Sequence, residues 1–407
     1  MKALTKIGIG FLSLAAVALW FTSCSSEDVA QNGGSLNEKD QRVLLLSVNT
    51  GNLGTRSTTA LTDDEKQIND MTVGIYDKSN NYRVVAKLAS KTDADDKEAS
   101  GSTEGSFKKN TSGVEVKVVT STLQKDDQVL VAVNRGTAAF TSNPNSPTKF
   151  SEETMDAITA LQFKASSTDI DATKFPKFGT ATLLDGSSST FKATVNVKNL
   201  VSKVTLEDLK VEFSGPYASA TFTPKEIFLL NVPDKLAFSK TGQASTSTYL
   251  NGTDVAKPDG SSVIKTAVLA KTITDASALS SVVGGTASYT STSKPILYTI
   301  PNSNSTSNKT ILVIAGKFDK DGPASAATEE TVYYPLALNE DYSTDPAGVA
   351  ADGATKSQTL AGKNYKCKVK IKTIGASNPW VTTGPQTAVL TVDVENWDDA
   401  TQTTTFE

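Results

Sequence analysis

From Arg42 to Trp397 the chain is written as short apolar or alternating stretches separated by linkers of Ser, Thr, Asp and Gly, and this pattern limits the fold more than any other feature. Alternation with period two gives a strand one buried and one solvated face, and turn residues at both ends stop it after a few positions. Such stretches are Met71 to Asp77, Tyr82 to Leu88, Val114 to Thr120, Gln128 to Asn134, Phe191 to Phe213, Glu226 to Pro233, Pro295 to Pro301, Thr310 to Phe318, Val332 to Asn339, Tyr365 to Ile374 and Thr387 to Trp397. One stretch, Ser151 to Phe163, predicts a helix, with Ser151 as cap, Glu153 in the first turn and Met155, Ile158 and Leu161 on one face. Many short strands, long polar connections and little helix predict an all-β chain of β-sandwiches.

A chain of 407 residues holds two or three domains at roughly 100 to 200 residues each. The weakest strand signal in the middle is Ser239 to Ser262, which places a boundary near its start and predicts domains over 57–240 and 241–407.

The N-terminus is ordered differently. Lys2 and Lys6 precede the apolar run Ile7 to Phe21, and the small residues Thr22 and Ser23 follow. This is the order of a secretory signal peptide, residues 1–23, and its apolar core is shorter than the roughly 20 residues of a membrane-spanning helix. Cys24 then stands where the lipobox of bacterial lipoproteins has its acylated cysteine, with Phe21 in place of the usual Leu. Two or three acyl chains on Cys24 would anchor the chain, at about 0.8 kcal/mol per buried methylene. The other cysteine, Cys367, sits far off in an alternating strand, and a single bridge to it from a signal-proximal tail is the weaker reading.

Composition removes several functions. Forty Lys+Arg against 44 Asp+Glu leave a net charge of -4, so no basic surplus exists to neutralise a phosphate backbone, and nucleic acid is not an expected partner. There is no histidine, the usual general base near neutral pH and the commonest metal ligand, which argues against an enzyme. Asp93 to Glu104 resembles a calcium loop only in its acidity, because Lys97 stands where an oxygen ligand is needed and Glu98 where the turn requires Gly. Val282 to Lys294 lacks the spacing of a phosphate-binding loop, and no serine lies in G-x-S-x-G. Cys367 shares an apolar strand face with Tyr365, Val369 and Ile371, where cysteine acts as a small hydrophobe. No catalytic residue, metal site or cofactor is expected.

Ser25 to Lys39 is polar, glycine-containing and without period, the composition of a flexible tether. Arg42 to Val48 is an apolar run bounded by Asn49, Gly51 and Gly54 that reads as a buried strand, with Val43, Leu44, Leu45, Leu46 and Val48 as its apolar residues. Arg56 follows in a Gly/Thr/Ser loop, the kind of site at which a trypsin-like protease nicks a chain; a cut there leaves Ser57 as the new first residue. Arg42 is a second candidate, though a cut there would leave the strand attached.

Taken together these residues resemble the fimbrillins, the lipoprotein-derived subunits of type V pili. The lipoprotein start at Thr22 to Ser26, the pair Leu200 to Phe213 and Phe222 to Lys235, the turn Phe175 to Gly179 with Lys177 for the family's Met, and the ordered stretches from Ile296 to Asp399 carry the resemblance. It implies two transthyretin-like β-sandwiches with Greek-key-like connections, exported as an outer-membrane lipoprotein precursor and then built into a cell-surface fimbrium. It further implies that an arginine-specific protease cuts at Arg56 and removes residues 24–56, tether and first strand together. A terminal strand of another copy would fill the groove. Ala388, Leu390, Val392 and Val394 alternate as a closing strand, so the donor segment is expected beyond it, with Trp397 and Phe406 as anchors. The implied partners are other copies, accessory fimbrial subunits, the protease and the outer membrane through the lipid on Cys24. Two alternatives remain open: an accessory or tip subunit, and a monomeric surface lipoprotein that binds glycan or a host protein.

Overall fold

The computed structural model describes residues 42–50, 61–91, 105–110, 113–120, 122–136, 145–165, 167, 169–185, 190–245, 248–250, 269–274, 277–280, 287–289, 294–304, 306, 308–322, 329–342, 350, 356–380, 382, 384 and 387–396. The first half supplies β1 (Arg42–Thr50), β2 (Asp70–Tyr76), β3 (Tyr82–Lys91), β4 (Gly105–Asn110), β5 (Gly113–Thr120), β6 (Gln128–Val133), β7 (Thr154–Asp156), β8 (Lys177–Thr182), β9 (Leu184–Asp185) and β10 (Thr190–Asn199). All except β7 form one nine-stranded sheet in the order β1, β5, β4, β3, β2, β6, β8, β10, β9, and β1 pairs with β10 as well, so the sheet closes on itself. Alternation decides what lies inside. Phe191, Ala193, Val195 and Val197 of β10 are buried while Lys192, Asn196 and Lys198 face solvent. The inward residues meet Val73, Ile75, Val84, Ala86, Val129, Val131 and Val133 in an enclosed apolar core.

The second half supplies β11 (Ser202–Val211), β12 (Thr221–Leu230), β13 (Lys235–Ala237), β14 (Ala270–Thr272), β15 (Leu279–Ser280), β16 (Ala287–Tyr289), β17 (Ile296–Thr299), β18 (Ile311–Asp319), β19 (Glu329–Ala337), β20 (Lys363–Ile371) and β21 (Ala388–Asn396). One five-stranded sheet runs β16, β11, β20, β21 with β17 also on β11; the other runs β14, β12, β18, β19 with β15 also on β12. Leu209, Val211, Cys367, Val369 and Leu390 from the first share a core with Phe222, Ile227, Leu312, Ile314 and Leu336 from the second. Two sheets joined through one apolar interior make a sandwich, and the all-β expectation is met. The same core extends to Tyr76, Leu130, Phe150 and Phe178 on the opposite face of the closed sheet, and Phe175 meets Tyr298 ring to ring at 4.8 Å between the two halves.

β11 and β12, which lie upstream of residue 240, pair with strands from residue 270 onward. One expectation needs correction. The helix expected over Ser151 to Phe163 is broken into a helix Pro147–Glu152, the strand β7 and a helix Ala157–Ala160. Its cap is Ser146, whose hydroxyl accepts from the Lys149 amide, with Pro147 opening the helix. Met155 leaves the helical face because β7 pairs with β13, Leu236 opposite Met155. Cys367 is buried as expected, and burial raises its thiol pKa far above the ordinary value, which leaves it unreactive.

A buried acid ties one end of the second sandwich. Glu340 is 1% exposed; the Lys309 ammonium lies 2.9 Å away and the hydroxyls of Ser357 and Tyr342 both donate to it. Burial pushes this carboxyl up, but those three donors outweigh it and hold the group below the usual glutamate range. A lowered native pKa means stability that is present at neutral pH, above the unfolded value of 4.5, and is lost as pH falls through the native value. Glu340→Gln is therefore expected to cost on the order of 2 kcal/mol at pH 7 and to flatten the acid limb, read by urea unfolding at pH 7 and pH 3.

Candidate functional site: the first strand and its slot

Strand β1 lies inside the closed sheet, with a partner on each side. It pairs antiparallel with β5, from Arg42 opposite Thr120 to Val48 opposite Val114, and parallel with β10, from Val43 opposite Thr190 to Thr50 opposite Val197. From Val43 to Val48 both rows of its backbone N–H and C=O groups are thus taken up in ladders. Leu44, Leu46 and Val48 are at most 1% exposed and enter the core beside Phe191, Ala193, Val195 and Val197. Val43 belongs to the same ladders, but Leu45 and Ser47 point outward, and Leu45 is among the exposed large apolar residues. The run "VLLL" reads as a buried strand, and Leu44 and Leu46 are its residues in the core.

Taking β1 away would leave β5 and β10 with unpaired edges and a slot floored by apolar side chains. Three fully buried aliphatic side chains contribute roughly 5 to 9 kcal/mol together, an upper bound because an unfolded chain also shelters part of its apolar surface. Leu46→Asp sets a carboxylate in that core without a partner. It is expected to lower stability by about 4 kcal/mol or more, enough to leave little folded protein, whereas Ser47→Asp on the outward face should change the urea midpoint very little.

Arg42 closes the N-terminal end of the slot. Its Nη1 donates to the Leu123 carbonyl and its guanidinium carbon lies 5.8 Å from the centre of the Phe191 ring. Held in a ladder and engaged at its tip, Arg42 is a poor protease substrate. Arg56 and Ser57, the expected cut, lie outside the described residues, as do Cys24, Trp397 and Phe406.

From Leu61 onward the chain is fastened to the body. Leu61 and Ile68 are buried, and Thr62 with Glu65 forms a capping box: the Glu65 amide donates to Thr62 Oγ1 at 3.2 Å and the Thr62 amide donates to Glu65 Oε2 at 2.8 Å. The other oxygen, Glu65 Oε1, receives Lys203 Nζ and Tyr298 Oη, each at 3.4 Å, from β11 and β17. Burial, reinforced by the Glu65 charge, raises the pKa of the Tyr298 phenol, so it stays a neutral donor. The pattern Thr-x-x-Glu was in the sequence and went unread; the β11 and β17 partners could not have been read from it.

Toward the other end of the chain, β21 is an edge strand among the described residues, paired with β20 from Ile371 opposite Ala388 to Lys363 opposite Asn396. Ala388, Leu390 and Val392 face the core and Asp393 faces out, as the alternation requires, and the Tyr342 amide donates to the Leu390 carbonyl at 3.1 Å. Lys366 meets Glu395 at 2.6 Å across the two strands and Lys368 meets Asp393. Among the described residues no group of three or more His, Cys, Asp or Glu could hold a metal ion.

No family model matches the chain and no curated protein matches it. Solved structures do. A candidate cell adhesion protein from Parabacteroides distasonis matches with a TM-score of 0.56 at 13% identity, over 88% of this chain and 99% of that one. A fimbrilin from Porphyromonas gingivalis matches with a TM-score of 0.54 at 14% identity, over 88% and 98%. A candidate cell adhesion protein from Bacteroides eggerthii matches with a TM-score of 0.52 at 16% identity, over 88% and 96%. At these identities the likeness is one of fold, and it runs nearly the whole length of each chain. The fold is that of a fimbrilin.

Proposed function

We propose that this chain is a structural subunit of a cell-surface fimbrium, a non-enzymatic protein made as a lipidated precursor and polymerised by strand exchange. The single observation that carries this reading is the position of β1: a strand held on both sides and buried on one face, a few residues upstream of Arg56 in the sequence, in a chain with the fold of a fimbrilin. A strand so placed is the part whose removal creates a binding site for another strand, because an unpaired edge beside an apolar floor has to be covered. When the cover comes from the next copy and the contact repeats head to tail, the product is an open filament. In this reading residues 1–23 are the signal peptide, Cys24 carries the lipid to the outer membrane, and an arginine-specific protease cuts after Arg56. Other copies and accessory fimbrial subunits are the partners.

Electron microscopy of cells with and without the gene tests the class: filaments lost on deletion and restored by complementation support it. Subunits purified from those filaments should begin at Ser57 and contain 407 - 56 = 351 residues. N-terminal sequencing that finds residues 24–56 still attached to polymerised subunits would remove strand loss as the trigger. Labelling with a palmitate analogue should mark the precursor and vanish in Cys24→Ala; equal labelling in both would end the lipoprotein assignment. Cells that lack the gene yet keep every filament, and lose binding to glycan or host protein instead, would point to the monomeric lipoprotein.

A further inference from the structure

The side chains at the two ends of β1 are held unequally. Among the described residues each end sits in one ladder, Arg42 on the β5 side and Asn49 and Thr50 on the β10 side, so the difference between the ends lies in their side chains. The one described side-chain contact of Asn49 and Thr50 is Asn49 Nδ2 to Asn196 Oδ1, 3.3 Å and exposed. At the opposite end Arg42 donates to the carbonyl of Leu123, itself fully buried, and lies over Phe191, which is 7% exposed and part of the core. Between the two ends sit Leu44, Leu46 and Val48, facing inward.

We propose that Arg42 is a latch that keeps the first strand seated after the chain has been cut between Thr50 and Leu61, so that the strand peels from its Thr50 end and Arg42 is the last contact to break. The inference rests on the reading of the preceding subsection for the cut itself, while the seating of a cut strand is a property of the monomer. A zipper opens at the end whose side chains hold least and stays closed where a charged hydrogen bond and a contact with a core ring act beside the ladder. An incoming strand would therefore enter beside Asn196 and Val197 and displace β1 toward Arg42. The slot is never empty, and a cut subunit that has met no partner does not present an open apolar edge to the wrong one. Arg42 acts here as a positioning residue. It sets when the slot becomes available and need touch nothing that later fills it.

The test uses the full chain with an affinity tag inserted between Gly33 and Gly34 and the recognition sequence of a site-specific protease replacing residues 53–59. The chain is bound to resin through the tag, cut, and washed, and the appearance of the body in the wash is followed in time. The body should stay on the resin for hours after cutting is complete. Arg42→Ala should release it about tenfold faster or more, the size expected for one hydrogen bond to a charged group; Arg42→Lys should fall between, and Asn49→Ala should change the rate less than twofold. Hydrogen exchange on the cut complex should show Asn49 and Thr50 exchanging well ahead of Leu44 to Leu46. Phe191→Leu gives a second route to a weakened latch should Arg42→Ala fail to fold, with uncut melting curves as the check on folding. Release of the wild-type body as fast as it is cut overturns strand retention, and release of both latch variants at the wild-type rate overturns the role of Arg42. No filament is needed for any of these measurements, so a chain that retains its cut strand but never polymerises would leave this inference standing and remove the proposed function.

Discussion

An Arg56→Ala chain is expected to reach the cell surface as a folded, full-length monomer and to reduce filaments to background, with immunoblots at precursor size and no filaments by immunogold microscopy. The reason is the competition for one slot. Uncut, β1 is joined to Leu61 by ten intervening residues, so its effective concentration at the slot is on the order of millimolar, far above that of a strand from another subunit. It also starts with two ladders and three buried aliphatic side chains already in place. A competing strand would have to gain about as much while giving up its own freedom, and it cannot win. Cutting removes the tether and turns the contest into one between two separate strands. Wild-type numbers of filaments built from uncut subunits would show that the slot is not where copies meet.

The elements involved were legible to different depths. Arg42 to Val48 announced a strand through its apolar run, and Ala388 to Val394 announced one buried face through strict alternation. Their neighbours were not announced. The parallel partner of β1 begins at Thr190, and nothing within a few residues of Leu44 encodes a pairing over that separation. The same holds for β11, whose parallel partner β20 begins only at Lys363. Capping chemistry is local and was available: Thr62-x-x-Glu65 and Ser146-Pro147 could both have been read, and the latter would have moved the helix expected from Ser151. The partners of Glu340 could not. Lys309 and Ser357 are brought to it by the ends of separate strands, and no spacing rule relates them.

Deleting Asp398 to Glu407 should leave a soluble, processed and folded subunit that no longer polymerises, since the described pairing of the second sandwich is complete without those residues. The β20–β21 ladder ends at Lys363 opposite Asn396, and the core face of β21 is spent on Ala388, Leu390 and Val392. A donor segment drawn from β21 itself would have to pull Leu390 out of the core, at a cost of roughly 2 to 5 kcal/mol in lost burial and cavity together. Beyond Asn396, outside the described residues, Trp397 and Phe406 are the large apolar side chains able to anchor in a neighbour, each contributing roughly 1.5 to 3 kcal/mol when fully buried. The deletion keeps Trp397, so Trp397→Ala in the full chain separates the two anchors. Cys367 provides the control for folding, because it lies opposite Val392 and its thiol is sealed in the core. A thiol reagent that leaves Cys367 untouched in the truncated chain shows β21 still seated, and loss of filaments then belongs to the missing segment. Filaments from the truncated subunit that resist heating in detergent as well as the wild type would move the donor strand elsewhere in the chain.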